Sequence, residues 1–362
     1  MSDLFSPPIK VSSALGNYEV KFETLSKLPF VERSVVIFDR SLPGRVSFDF
    51  PASGSCFEID VQENNKSMET CIAILEFLAK TGLNKGDSLL AIGGGVVQDL
   101  TTLCASIYMR GIDWYYVPTT LMSMMDSCLG GKSSINLSGF KNILGNFYPP
   151  LSVYIDTRYV SSLNAVDISS GISEGMKICF AKGREEFYSF LSKIEAWRET
   201  NSLDFLNQAI RISLNAKKFF IETDEFDSKE RRLLNFGHSF GHALEASTHH
   251  AIPHGIAILV GMRAAIIEST NDIHCRDLTE AIYREIRQSK FTDCHFRIDK
   301  TTFLSAMRRD KKNRQDTQVL ILPNGDGRLE LISRPMNDES LTSCWNSIEL
   351  ALSEGGFSYE VL

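Results

Sequence analysis

His238 and His242 stand four residues apart in "NFGHSFGHALE" (235–245), a spacing that puts both imidazoles on one face of a helix. Paired with a glutamate beside the first histidine, such a spacing makes the zinc-protease motif, with the glutamate as base. Here that position is Ser239, which weakens the protease reading. Five of the seven histidines fall within 238–254: His238, His242, His249, His250 and His254. Catalytic zinc takes three protein ligands from His, Asp and Glu and keeps one position open. A carboxylate from another helix can complete such a set. "SGISEGMKICF" (170–180) supplies Glu174, with Lys177 three residues on and on the same face. An acid and a base on an apolar, Gly-containing helix are costly to bury without partners, which marks them as site candidates. For His249 and His250 an ordinary hydrogen-bonded role is preferred.

Two loops suit anions. In "AIGGGVVQD" (91–99) a strand runs into three glycines and then a helix, so the backbone can approach a phosphate at a helix N-terminus. The pattern is not GxGxxG, and a plain tight turn that needs positive φ is the competing reading. The second loop, "VPTTLMSMMDSCLGGKSSINLSGFKN" (117–142), gathers Thr119, Thr120, Asp126, Lys132, Asn136, Lys141 and Asn142. Two lysines and two asparagines in a Gly-containing loop form a ready anion site. "GGK" is poor in other charge and flanked by apolar residues, so Lys132 is expected to point into a cleft. Further basic candidates are Lys217 in "NAKKFF", Arg231 in "KERRLLN" and Lys311 in "RRDKKN". Lys218 and Arg232 read as solvated.

The elements that must position these groups follow from periodicity. "SVVIFD" (34–39) and "SLLAI" (88–92) read as buried strands, "DWYYVPTT" (113–120) as strand plus loop, and "SVYID" (152–156) as one more strand. Helices are expected over 67–83, with Ser67 as N-cap, and over 96–111. Beyond about residue 160 helices dominate: 165–182, 204–224, 229–248 and 255–270. A strand pair follows over 317–333, and a last helix over 337–352. This predicts an α/β fold, with an N-terminal Rossmann-like parallel-sheet domain (1–160) followed by a mostly α-helical metal- and substrate-binding domain (161–362). Small-molecule sites favour the cleft between two such domains.

The bulk composition narrows the classes. A chain of 362 residues allows about two domains. With 43% hydrophobic and 23% charged residues it is an ordinary globular composition. A net charge of −7 argues against nucleic acid as partner but leaves room for a local basic pocket. None of the eight cysteines forms a CxxC pair, as expected of buried reduced thiols in a cytoplasmic protein. "MSDLFSPPIK" lacks a leader pattern, and no apolar run is long enough for a membrane span.

Taken in order, "ENNKSMET", "GGGVVQD", "YMRG…PTTL…MDSCLGGKSSIN…KN", "SGISEGMK" and "LLNFGHSFGHALE…PHG…DKKN" resemble the 3-dehydroquinate synthase and wider sugar phosphate cyclase family over roughly residues 35–335. The resemblance implies NAD and a divalent metal, usually zinc with cobalt as an alternative. It maps the metal ligands onto Glu174, His238 and His254. NAD contacts map onto Asp39, Glu63, Lys66, Gly94, Gly95, Asp99, Thr119, Thr120, Lys141 and Ser162. Substrate-side groups map onto Arg110, Asp126, Lys132, Asn142, Lys177, Lys217, Arg231, Asn235, His242 and Lys311. In related dimers the residue matching Arg110 reaches the neighbour's site, so a homodimer is implied. The pair His238 and His242 is thereby split: one holds metal, while the other faces the substrate's anionic end. Asn235, three residues before His238, is expected on the same helical face.

The implied chemistry is a cycle on a small anionic phosphosugar, a heptulosonate phosphate, within aromatic amino acid biosynthesis. Hydride passes from a ring carbinol to NAD, the adjacent C–H becomes acidic, and phosphate is eliminated. Hydride then returns, the ring opens, and an intramolecular aldol closes the carbocycle. Lys217 and Arg231 suit a substrate carboxylate and so favour the dehydroquinate enzyme. Gln98, Ser134, Ile256 and Val166 depart from the family pattern and bear on which cyclase this is. The alternatives are a cyclase of a neutral sugar phosphate such as sedoheptulose 7-phosphate, and a metal-dependent polyol or alcohol dehydrogenase.

Overall fold

Nearly unbroken apolar strings mark strands covered on both faces, and four of them build the first unit's core. The computed structural model describes residues 7–23, 34–42, 56–137, 140–314 and 316–362. Met1–Ser6, read above for a leader, and Ser138 and Gly139 of the lysine loop lie outside that set. Up to Leu163 the strands are β1 (Ile9–Val11), β2 (Tyr18–Phe22), β3 (Ser34–Asp39), β4 (Cys56–Ile59), β5 (Ser88–Gly93), β6 (Asp113–Pro118), β7 (Ile135–Leu137), β8 (Phe140–Leu144) and β9 (Ser152–Ile155). The helices there are α1 (Met68–Lys80) and α2 (Gly95–Ile107). Ser67 caps α1 as expected, its hydroxyl accepting from the Thr70 amide.

Seven strands form one sheet in the order β1-β2-β9-β6-β5-β3-β4. Every neighbour pair is parallel except β1 and β2. The chain runs from β3 out to β4, returns past β3 to β5, and continues to β6 and β9. Direction therefore reverses between β3 and β5. In open parallel sheets ligands bind outside the carboxyl ends of the strands at such a reversal. Asp39 and the Gly93–Gly95 turn occupy those ends, and α2 packs on β3, β5 and β6. The parallel sheet followed by helices is the architecture expected from the sequence.

After Leu163 come α3 (Ala165–Lys182), α4 (Arg184–Thr200) and α5 (Leu203–Thr223). The first compact unit takes in the chain to Leu163 together with Ser189–Ser228; the second holds Asn164–Tyr188 and Lys229–Leu362. The expected split, with everything after residue 160 in one helical domain, is corrected here for 189–228. Helix α5 returns to the first unit because its side chains bond there. The Ser213 hydroxyl donates to Met125 O at 2.9 Å, Lys217 bonds Asp126, and the Arg211 guanidinium lies 4.0 Å over the Phe22 ring.

The rest of the second unit comprises α6 (His238–Ser247), α7 (His254–Ser269), α8 (Arg276–Ser289), β10 (His295–Ile298), α9 (Lys300–Arg308), β11 (Thr317–Pro323), β12 (Leu329–Pro335), α10 (Asp338–Glu354) and β13 (Ser358–Val361). Strands β11 and β12 pair antiparallel, and β10 and β13 pair parallel. Helix α7 is buried from Gly255 to Ile266 and touches α3, α6, α8, α10 and β11, as a helix apolar on all sides must. The expected helix over 229–248 is two pieces, a 3-10 turn at Glu230–Asn235 and α6. Phe236 is extended and Gly237 left-handed at φ 76°, which no continuous helix allows. Gly237 also packs so close to α7 that a Cβ there lies 2.7 Å from the Met262 amide nitrogen. Helices α4, α8 and α9 were not anticipated, although α8 carries a clear helical signal, with Leu278, Ala281, Ile282 and Ile286 buried on one face and charged residues on the other. No described helix is long and apolar enough to cross a membrane. All eight cysteines are free, and six are buried.

Candidate functional site

In the second unit, α3 delivers Glu174 and Lys177 from a face buried continuously over Ser169–Cys179. The two side chains are ion-paired and almost fully buried. Glu174 Oε2 takes the Lys177 ammonium, while Oε1 is buried without a hydrogen-bond partner. His254 Nε2 stands 3.5 Å and His238 Nε2 3.9 Å from that orphan oxygen. Their other nitrogens are fixed: His238 Nδ1 lies 3.2 Å from Phe236 O, and His254 Nδ1 3.1 Å from Glu245 Oε2. Both rings thus direct Nε2 at the carboxylate, with Glu245 and Phe236 O as the orienting second partners that metal-binding histidines use.

His242 joins them, its ring centroid 5.1 Å from His238 and 5.7 Å from His254. One nitrogen of each of the three histidines lies within 4.8 Å of the others. Zinc bonds of ~2.0–2.2 Å put tetrahedral ligand atoms roughly 3.3–3.6 Å apart, so Glu174, His238 and His254 fit an ion after small movements. His242 is the solvent-exposed member of the three.

Protonation favours this fit for Glu174 and His238, whereas His254 carries a proton that a metal must displace. Burial alone raises Glu174, but Lys177 and His254 outweigh it and hold the carboxyl well below the usual range. Burial, then Lys177, keep His238 well below the ordinary histidine value, so it is neutral and free to ligate. His242, although one side of it meets solvent, is pushed down to about 4 by desolvation from the neighbouring groups and then by His254. For His254 burial is overcome by Glu174 and Glu245, which raise it to about 10.

Arg231 is buried in the 3-10 turn, whereas Arg232, expected to be solvated, is half-buried. Asn235 donates to Arg232 O at 3.2 Å. It lies in that turn and not on α6, so the expected face shared with His238 is corrected: the Phe236–Gly237 break rotates it away from the helical register. Lys311 is exposed, beside a half-buried Lys312–Asp310 pair at 2.8 Å.

The first unit gathers a second set at the sheet's reversal. Gly94 caps α2 without a side chain to satisfy its amides, and the first turn carries no acid. Those amides are available to an anion. A Cβ on Gly94 lies 2.9 Å from Thr120 Cγ2, while one on Gly95 meets nothing within 4 Å. Around this turn Lys66 Nζ bonds Asp99 Oδ2 at 2.6 Å and Asn142 Oδ1 at 2.7 Å. Asp99 also accepts from the Ser134 amide at 3.1 Å; burial nonetheless pushes its pKa up, against Lys66. Asn136 donates to Glu63 Oε1 at 3.0 Å, and Lys141 stands 4.0 Å from the same oxygen. Asp39 closes its own turn by accepting from the Ser41 amide and hydroxyl. Thr119 is buried, its amide on Gly93 O, and Thr120 bonds Ser123. Ser162 donates to Tyr159 O within its own 3-10 turn, and Arg110 is exposed at φ 64°.

Asp126 lies in a π-helical turn, Ser123–Ser127, and Lys217 reaches both its Oδ1 at 2.7 Å and its carbonyl at 2.6 Å. Such turns recur at functional sites. Lys132 pairs with Asp227 at 2.6 Å.

The chain matches the 3-dehydroquinate synthase N-terminal model over residues 56–170 and the C-terminal model over 171–313. It is 38% identical to a 3-dehydroquinate synthase of Dictyoglomus turgidum over 277 residues, 76% of this chain and 77% of that one. The chain belongs to the 3-dehydroquinate synthase family. Its fold is shared by solved sugar phosphate cyclases. A 2-deoxy-scyllo-inosose synthase complexed with carbaglucose-6-phosphate, NAD+ and Co2+ superposes with a TM-score of 0.75 at 21% identity, covering 93% of this chain and 98% of the other. A 2-epi-5-epi-valiolone synthase from Streptomyces hygroscopicus with NAD+ and Zn2+ bound gives 0.74 at 23% identity, covering 94% and 99%.

Within this member of the 3-dehydroquinate synthase family, Gln98 has a visible task. Its amide donates to Ser127 O and accepts from the Ser127 hydroxyl, both at 2.6 Å, tying α2 to the turn that carries Asp126. Gln98→Leu keeps the volume and loses both bonds, at a cost of ~1–3 kcal/mol. The expected result is a lower urea midpoint with an unchanged circular dichroism spectrum; an unshifted midpoint is the contrary outcome. Sequence reasoning missed Glu245 and Asp227. Glu245 lies three residues after His242, a spacing that marks it as a helix neighbour. Asp227 is hidden in the acidic run "DEFD", which carries no local signal.

Proposed function

We propose that the protein is an NAD- and divalent-metal-dependent lyase that converts a heptulosonate phosphate to a carbocycle with loss of phosphate, the 3-dehydroquinate synthase reaction. The observation that carries this reading is the buried Glu174 oxygen without a partner, faced by two imidazoles already turned toward it. Glu174, His238 and His254 are the residues that hold the metal, with zinc as the physiological ion. NAD takes Gly94, Gly95, Thr119, Thr120, Asp39, Glu63, Lys66, Asp99, Lys141 and Ser162. When bound, the metal polarises a substrate oxygen and NAD accepts and later returns a hydride at that carbon.

The chain's own groups do the rest. Lys177 neutralises Glu174, so the carboxylate stays ionised in a buried place. Lys217, itself held by Asp126, and Arg231 bind the substrate carboxylate. Lys132 and Asn142 receive the phosphate, with Lys311, Asn235 and the exposed ring of His242 on the substrate's anionic end. The buried cations favour an acidic substrate over a neutral sugar phosphate. Bound groups in the two cyclase structures and the names of the sequence relatives support the cofactor assignment. Arg110 serves a neighbouring copy in a homodimer, which light scattering of the purified protein checks.

The test is incubation with the heptulosonate phosphate, NAD and zinc. Phosphate release at a constant NADH level is expected. If no phosphate appears while NAD and metal bind normally, the substrate assignment fails, and sedoheptulose 7-phosphate and glucose 6-phosphate are the next substrates. Stoichiometric NADH from a simple polyol overturns the lyase reading in favour of a dehydrogenase.

A further inference from the structure

Lys132 does not wait with an open ammonium. Its backbone is fixed by a bridge to Phe147, and Tyr148 N donates to Gly131 O at 2.7 Å, so its starting point is rigid. Its Nζ lies 5.9 Å from the Phe147 ring and 2.6 Å from Asp227 Oδ2. Phe147 in turn meets the Phe226 ring edge-on at 5.3 Å, which seats residues 226 and 227 against the lysine. The partner carboxylate is poorly satisfied. Its Oδ1 is buried without a hydrogen bond, and Asp227 sits in the left-handed region at φ 59°. The turn itself is closed without that side chain, by Asp227 N on Asp224 O at 3.2 Å and by Ser228 N and Oγ on Asp224 Oδ1. An acid that the turn does not need, that leaves one oxygen unpaired, and that neutralises a half-exposed lysine is not explained by folding.

We propose that Asp227 is a built-in substitute anion for Lys132, one that a ligand phosphate must displace, and so a residue that sets the affinity for phosphorylated substrates. The inference rests on the reading of Lys132 as a phosphate ligand given above. A phosphate arriving at Nζ meets the Asp227 charge within a few ångströms and must compete with it for the same ammonium. The acid thereby weakens binding of any phosphate and favours release of the inorganic phosphate product.

Titration calorimetry of the full chain with inorganic phosphate, at low salt, tests this on wild type, Asp227→Asn, Lys132→Ala and the double variant. Asparagine tolerates the left-handed conformation as aspartate does, so the turn is kept. Phosphate is expected to bind Asp227→Asn roughly two- to fivefold more tightly, the range of a partly exposed charge interaction. The gain should vanish in the Lys132→Ala background. If Lys132→Ala weakens phosphate while Asp227→Asn leaves it equal or weaker, the substitute-anion role is refuted and the reading of Lys132 stands. If Lys132→Ala changes nothing, that reading fails and takes the inference with it.

Discussion

Glu174→Ala is expected to lose bound metal and metal-supported turnover by at least ~100-fold, beyond the loss typical of removing a mere orienting partner. Both imidazole Nε2 atoms face this carboxylate, at 3.5 and 3.9 Å. Without it a metal keeps two histidines whose orientation has nothing to converge on. The substitution also strands the buried Lys177 ammonium, and breaking such a buried pair costs ~3–5 kcal/mol. Glu174→Gln is therefore the needed companion, since it keeps the volume and one acceptor for Lys177. Metal content by mass spectrometry, turnover and the circular dichroism spectrum are read together. A folded Glu174→Gln protein with full metal content and full activity refutes the ligand set.

Loading of the metal-free protein should release close to one proton per zinc at neutral pH, and its source should be His254. Burial opposes the charged form of this ring, but Glu174 and Glu245 raise it to about 10. The other participants are already in their ligating forms: Glu174 is ionised, His238 is neutral, and His242 titrates only near pH 4. Zinc must displace the His254 proton, so apparent affinity is expected to rise about tenfold per pH unit between pH 7 and 9. Calorimetry in two buffers of different ionisation enthalpy counts the protons; a count of zero at pH 7 contradicts the assignment. The stability sign follows from the same group. Its folded value lies above the unfolded ~6.5, so its contribution is complete below pH ~6.5 and fades as pH rises through about 10. The metal-free protein should therefore melt at progressively lower temperature from neutral pH to pH 10. With zinc bound that dependence should flatten, because no proton is left on the ring.

The four central strands of the sheet were legible because they are buried on both faces and read as nearly continuous apolar strings, from "SVVIFD" to "SVYI", whereas β1, β2 and β4, short and only partly buried, were not. Helix α3 was legible to the residue, with Asn164 capping it through the Asp167 amide at 2.8 Å. The break at Phe236–Gly237 was not. Periodicity on either side of it is helical, and only the close approach of α7 shows why a left-handed glycine is required there. That single turn moved Asn235 off the face it had been assigned.

By itself the sequence determined which chemistry was on offer: a glycine turn after a buried strand, a lysine and asparagine loop, an acid and base on one buried helix, and a histidine cluster. These are local patterns, set by residue type and by spacings of two to four. Only the tertiary structure decided how they are used. It returned residues 189–228 to the first unit, pointed His238 and His254 at one unpaired oxygen of Glu174, and set Asp227 against Lys132 across 95 positions of chain. Ion pairs and ligand sets of that kind depend on which surfaces the burial of apolar side chains brings together, and no spacing along the chain encodes that distance.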